Sequence, residues 1–202
     1  MIESEEFLSI LPDLELYNSV AIGPGIGFNR LTKDLLHQLI KTYSKPIVFD
    51  ADAITILSEN KSWLKDISKN SIFTPHPKEF ERLIGKSKNN YERLQMQIEF
   101  AVNYQAYVLL KGANSSIATP LGKVFLNSTG NPGMATGGSG DVLTGIMASL
   151  LAQNYSPKDA VIIGTYIHGL SGDFAAEKLG QNAVIASDII DYLSEAFKSF
   201  EL

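Results

Sequence analysis

Two periods organise the apolar positions. From Leu31 to Tyr43, residues Leu31, Leu35, Leu36, Leu39, Ile40 and Tyr43 share one face at the 3.6-residue spacing, which predicts a helix. Short dense apolar runs bounded by Gly, Pro or Asp predict strands at Val20–Ile22, Pro46–Asp50, Ser71–Thr74 and Tyr107–Leu110. Between them, helices are expected at Ala53–Leu57, Lys78–Ile84 and Asn90–Tyr104. In the last, Leu94, Ile98, Ala101 and Val102 lie on one side. Ser116–Thr119 and Lys123–Leu126 flank Pro120-Leu121-Gly122 and read as a hairpin. Asp141–Gln153, Pro157–Leu179 and Ser187–Phe200 are expected to close the chain as three helices. At the other end, residues 1–17 are acidic and leucine-containing, with Pro12 breaking any long helix.

Strands alternate with helices and a hairpin comes late. This predicts an α/β layered fold, a mostly parallel central sheet flanked by helices, as one domain over residues 1–202. In such a sheet, ligands bind at the carboxyl ends of the strands. The loops there hold the unusual residues of this sequence.

Composition narrows the possibilities. With 45% hydrophobic and 19% charged residues in 202, the chain has the balance of a globular domain. The net charge of −5 argues against a nucleic-acid surface, though not against a local pocket for a small phosphorylated ligand. Absence of cysteine excludes disulfides, thiolate zinc sites and a cysteine nucleophile. No apolar run approaches the roughly 18 residues of a membrane span. The first residues, Met1-Ile2-Glu3-Ser4-Glu5-Glu6, are acidic where a signal peptide is basic, so a cytoplasmic location and no membrane partner are expected.

The strongest chemical signal is Asn131-Pro132-Gly133-Met134-Ala135-Thr136-Gly137-Gly138-Ser139-Gly140-Asp141, followed by an apolar helix. Glycines let successive N–H groups converge on an anion at a helix N-terminus, where the dipole favours negative charge. A carboxylate at the mouth of such a cradle suits contact with an attacking hydroxyl or a bridging Mg²⁺. The plainer alternative is that Asp141 caps the helix and the glycines only make a turn. The loop lacks the Gly-Lys-Ser/Thr of a Walker sequence. Gly23-Pro24-Gly25-Ile26-Gly27 ends in Phe28 where a dinucleotide fingerprint needs a sixth-position glycine.

These residues resemble the signature of the ribokinase-like superfamily and, more closely, of the bacterial ADP-dependent NAD(P)H-hydrate dehydratases. Gly23–Gly27, Asp50-Ala51-Asp52-Ala53, Thr74-Pro75-His76-Pro77-Lys78-Glu79, Lys111-Gly112-Ala113-Asn114-Ser115 and Leu170-Ser171-Gly172-Asp173 agree in order and spacing. The resemblance runs from about Val20 to the C-terminus. It implies repair of hydrated NADH or NADPH: an adenine nucleotide, ADP or ATP, phosphorylates the hydrate hydroxyl with Mg²⁺, and phosphate then leaves. It also implies roles. Asp141 is the base that contacts the hydroxyl. Gly137, Gly138, Ser139 and Gly140 form the anion hole, with Gly140 near the adenine nucleotide. Lys111, Gly112, Ala113, Asn114 and Ser115 hold the nucleotide, Ser115 standing where the family has Thr. His76, Gly25 and Gly27 contact the hydrate. Asn131 and Glu79 are second-line candidates, through Mg²⁺.

Other polar residues have plainer readings. His76 between two prolines suits a rigid turn, and Lys111 a solvated strand end. Asp50 and Asp52 suit caps of the following segment. His37 is expected to be exposed, His168 and Asp173 to be structural, and Trp63 to pack. The family domain normally begins earlier, with a strand, a Gly-containing loop and a helix that have no counterpart here. The expectation is therefore an N-terminally truncated domain with an open sheet edge or apolar patch, covered by homo-oligomerisation, often as a tetramer. Two competing readings remain: a ribokinase-like kinase for a vitamin-precursor alcohol, and a nucleotide-binding fragment without catalysis.

Overall fold

The computed structural model describes residues 14–199. The helix-breaking effect expected of Pro12 and the end of the last helix at Phe200 lie outside the described residues.

Among the described residues the short apolar runs form one six-stranded sheet. β1 (Val20–Ile22), β2 (Ile47–Phe49), β3 (Ile72–Phe73) and β4 (Tyr107–Leu110) lie side by side in that order and pair in parallel. β5 (Ser116–Ala118) and β6 (Val124–Leu126) add the antiparallel hairpin. Parallel strands covered on both faces are apolar throughout, and this is why β2 and β3 are fully buried.

Side-chain alternation splits the core into two layers. Ile47, Phe49, Phe73, Val108 and Leu110 face one layer, covered by α1 (Arg30–Thr42), α2 (Ala51–Glu59), α3 (Pro77–Ile84) and α4 (Asn90–Asn103). Val48, Ile72, Leu109 and Ile117 face the other, covered by α5 (Ser139–Ala152) and α6 (Pro157–Leu179). Phe73 sits at the centre of the first layer, 5.1 Å from the Phe49 ring and 5.3 Å from that of Phe100. The α1 stripe is the one its sequence predicts: Leu35, Leu36, Leu39 and Ile40 are buried, and Asn29 caps the helix by accepting from the Thr32 N–H at 2.8 Å.

The expected last helix is two. α7 (Ala186–Asp191) and α8 (Leu193–Lys198) meet at Tyr192, whose backbone (φ −90°, ψ 4°) leaves the helix. The bend keeps Ile189 and Ala196 buried while both helices pack on α6. His37 also departs from expectation. It is half-buried and stacked on Trp63, with ring centroids 4.2 Å apart and planes 7° from parallel.

Candidate active site

Four adjacent parallel strands end at one edge of the sheet. Gly23–Gly27 follows β1, Asp50–Asp52 follows β2, Pro75-His76 follows β3 and Lys111–Ser115 follows β4. The N-terminus of α5 reaches the same edge.

The loop after β1 is pressed against the end of β2. A Cβ on Gly23, where φ is +142°, would lie 1.8 Å from the Asp50 carbonyl oxygen, so only glycine fits. The Gly27 N–H donates to Asp52 Oδ2 at 2.9 Å, which fixes the loop's far end.

Asp50 does not cap α2, contrary to the cap reading; its side chain makes no capping bond there. It is 1% exposed and reaches across the sheet instead. Lys111 Nζ donates to its Oδ1 at 2.8 Å and Thr144 Oγ1 donates to its Oδ2 at 2.8 Å. A carboxylate out of water needs such partners. Lys111 is therefore no free strand end. Its main-chain N–H also donates to the Pro75 carbonyl at 2.9 Å, tying β4 to the turn of His76. A Cβ on Gly140 would stand 3.3 Å from Lys111 Nζ. The lysine thus packs directly against the first turn of α5.

That turn carries the glycine-rich loop. Gly138, left-handed at φ 87°, occupies the cap position, and no side chain caps the helix. Asp141 is therefore not the cap; it stands exposed in the first turn. With no side-chain cap, the first turn suits an anion, as the helix dipole favours, while the Ser139 N–H also donates to the Thr136 carbonyl at 3.4 Å. Ser139 is clamped from below by buried His168 of α6. Its Nε2 lies 2.9 Å from the Ser139 carbonyl and 3.3 Å from the Ser139 hydroxyl. A carbonyl only accepts, so Nε2 carries the proton. Burial lowers the His168 pKa to about 4, the hydrogen bond to Ser139 opposes this, and the nearby Lys111 charge lowers it further.

His76 proves to be both turn and cap. Its Nδ1 accepts from the Lys78 and Glu79 N–H groups, while Glu79 Oε2 accepts from the His76 N–H at 2.8 Å. Pro77 opens the helix behind this reciprocal pair. The ring is 46% exposed, with Nε2 3.4 Å from Glu79 Oε1. Glu79 is buried and spent on this cap.

Asn131 is equally committed. Its Nδ2 donates to Asp173 Oδ1 and to the Gly172 carbonyl, both at 2.9 Å, and its Oδ1 accepts from Gly133. The Gly130 N–H completes the clamp on Asp173 Oδ2 at 2.8 Å. Asp173 thus ties the loop to α6 across the fold, not locally. Both side chains are engaged within the fold, Glu79 with His76 and Asn131 with Gly172 and Asp173. Among the described residues, no three His, Cys, Asp or Glu side chains group to hold a metal. Asp141, an exposed carboxylate in the first turn of α5, is of the chemistry that suits a Mg²⁺ carried by nucleotide phosphates. In the loop after β4, the Ser115 hydroxyl accepts from the Gly112 N–H and donates to the Gly112 carbonyl, both at 3.2 Å.

Beyond Asp141, an apolar groove of about 520 Å³ follows the outer face of α5 over Val142 and Ile146, walled by Ile190, Leu193 and Phe197. Sequence reasoning missed Thr144 and the use made of His168. The one signal for Thr144 is its place four residues after Gly140, on the same helix face.

Comparison with known proteins shows the family of the chain. Residues 2–195 match the family described as NAD(P)H-hydrate dehydratase. The chain belongs to that family. It is 42% identical over 194 residues to the bifunctional NAD(P)H-hydrate repair enzyme Nnr of Moorella thermoacetica, covering 95% of this chain and 37% of that one. It is 32% identical to the ADP-dependent (S)-NAD(P)H-hydrate dehydratase of Bacillus subtilis, covering 93% of this chain and 66% of that one. The crystal structure of the Bacillus subtilis ADP/ATP-dependent dehydratase, co-crystallised with ATP/Mg²⁺, superposes with a TM-score of 0.79 at 30% identity. That superposition covers 91% of this chain and 65% of that one. The dehydratase-family chain thus spans little more than a third of the bifunctional relative and about two thirds of the single-function one. A hydroxyethylthiazole kinase from Pyrococcus horikoshii shares the fold at 17% identity and a TM-score of 0.75. The ribokinase-like fold is common to both activities, while the family match favours the dehydratase. Among the described residues, no helix is long and apolar enough to cross a membrane.

Proposed function

We propose that this chain carries out nucleotide-dependent dehydration of NADH or NADPH hydrate. The observation that carries the reading is the meeting of two loops. Lys111, at the head of the loop after β4, packs against Gly140, one residue before Asp141 in the uncapped first turn of α5. A phosphate donor held by Lys111, Gly112, Ala113, Asn114 and Ser115 then presents its terminal phosphoryl group to N–H groups of Gly137, Gly138, Ser139 and Gly140. The hydrate lies between the Gly25–Gly27 turn and the half-exposed His76 ring, with its hydroxyl toward Asp141.

The chemistry follows from leaving-group ability. Hydroxide leaves a saturated carbon badly, and phosphate leaves well. Asp141 takes the proton as the hydroxyl oxygen attacks phosphorus, and the donor's bridging oxygen leaves with the electron pair. The hydrate's ring nitrogen then expels phosphate, and loss of a neighbouring proton restores the reduced nicotinamide. Preorganised donors of such an anion hole are worth about 10²–10³ in rate each. Mg²⁺, when bound with the nucleotide, supplies neutralisation of phosphate charge. ADP is the donor named for the Bacillus subtilis relative, and we take it as the donor here. We place the work in the cytoplasm, as a homo-oligomer. Among the described residues β1 lies at the sheet edge, and with the apolar groove beside α5 this supports an assembly, measurable by analytical ultracentrifugation.

Phosphorus NMR tests the reaction. AMP and inorganic phosphate should form from ADP only while hydrate is present, one of each per cofactor restored. Phosphate release that is indifferent to hydrate contradicts the reading. A stable phosphorylated vitamin alcohol would favour the kinase alternative.

A further inference from the structure

We propose that Asp50 and Thr144 are positioning residues that hold the Lys111 ammonium against the first turn of α5, aimed at the terminal phosphate of the nucleotide. This rests on the reading of the site as a phosphoryl-transfer centre.

Three elements distant in sequence converge on one carboxylate. Asp50 ends β2, Lys111 ends β4 and Thr144 lies on α5, with both carboxylate oxygens engaged at 2.8 Å. The backbone is set to serve this. Gly23 presses on the Asp50 carbonyl, and the next residue, Ala51, is held left-handed at φ 46°. Such a conformation costs a non-glycine residue free energy and persists only where its surroundings impose it. As a stabiliser alone, the arrangement is poor. Burying an ion pair gains little over packed apolar side chains, and an apolar cluster of Val48, Ile72, Leu143 and Met147 packs in the same layer.

What the pair does supply is direction. Lys111 spends one of its three donors on Asp50, below, and its side chain remains 22% exposed, with Gly140 offering no Cβ in the way. Thr144 takes the second carboxylate oxygen, so the carboxylate cannot rotate away from the lysine. The ammonium lies beside the uncapped turn, within reach of a phosphate bound there.

Calorimetry with ADP and AMP, each with Mg²⁺, reads this contact without turnover, because the two ligands differ by the phosphate in question. Asp50→Asn should lower the ADP-over-AMP affinity ratio about tenfold, and Thr144→Val about threefold, with AMP affinity unchanged. Thr144→Ser should restore the ratio. Lys111→Met should abolish the preference, and adding Asp50→Asn to it should change nothing more. In turnover, Asp50→Asn should cost about 10²-fold in kcat with the hydrate KM little changed. A ratio unchanged in Thr144→Val and Asp50→Asn overturns the proposal, and so does equal loss of ADP and AMP binding, the mark of a merely structural role. If the ratio falls as stated while the wild-type protein restores no hydrate, this inference stands and the dehydratase reading fails.

Discussion

The imidazole Nε2 of His168 lies 2.9 Å from the main-chain carbonyl of Ser139, the first residue of α5. A histidine from one helix thus pins the backbone from which the anion loop enters another. Burial favours the neutral ring and lowers its pKa to about 4, against the pull of the Ser139 carbonyl, which favours the charged form.

This makes stability depend on acid. The unfolded chain binds a proton at the ordinary pKa near 6.5, while the folded chain holds off until about 4. The contribution of His168 is therefore complete above pH 6.5 and is lost as pH falls from 6.5 toward 4. The loss should be about 2 kcal/mol at pH 5 relative to pH 7.5. Urea unfolding of wild type and His168→Gln at both values measures it. The variant should lose less stability on acidification; an identical loss in both proteins refutes the assignment.

Two glycines of the first loop should behave differently. Gly23→Ala drives a Cβ into the Asp50 carbonyl at a φ of +142° and should cost about 3 kcal/mol or more. Gly25→Ala meets open space at φ +65° and should cost about 1 kcal/mol. Urea midpoints check the contrast. Equal effects would mean that the β1 loop does not press on β2 as described.

His76 joins a structural and a chemical role that substitution can separate. His76→Ala removes the α3 cap and should cost about 1 kcal/mol of stability. His76→Asn keeps a capping acceptor and should stay within about 0.5 kcal/mol of wild type, yet raise the hydrate KM about tenfold through loss of the Nε2 edge. An unchanged KM in the asparagine variant removes His76 from the hydrate site.

Much of this architecture is legible in the sequence because it is local. The α1 stripe, the apolar strand runs and the Pro120–Gly122 turn are encoded within a dozen residues, and the structure carries helix, strands and hairpin where those patterns lie. The glycine loop is legible for the same reason. What escapes is long-range pairing. Asp50 stands 61 residues from Lys111 and 94 from Thr144, and nothing near it in sequence separates a cap from a buried carboxylate. Glu79 and Asn131 look like free polar groups of a motif until the fold shows their partners to be His76 and Asp173. The break at Tyr192 is hidden because the apolar period continues through it, and packing on α6 decides the bend.

The measurement that tests the central claim most directly is restoration of hydrated NADH, followed by the near-ultraviolet absorbance of the reduced nicotinamide, with ADP and Mg²⁺ present. The protein should recover the absorbance only with nucleotide, and Asp141→Asn should reduce the rate about 10²–10⁴-fold while leaving the fold and ADP binding intact. Recovery at the wild-type rate by the Asp141→Asn variant, or none from folded, ADP-binding wild-type protein, would contradict the account.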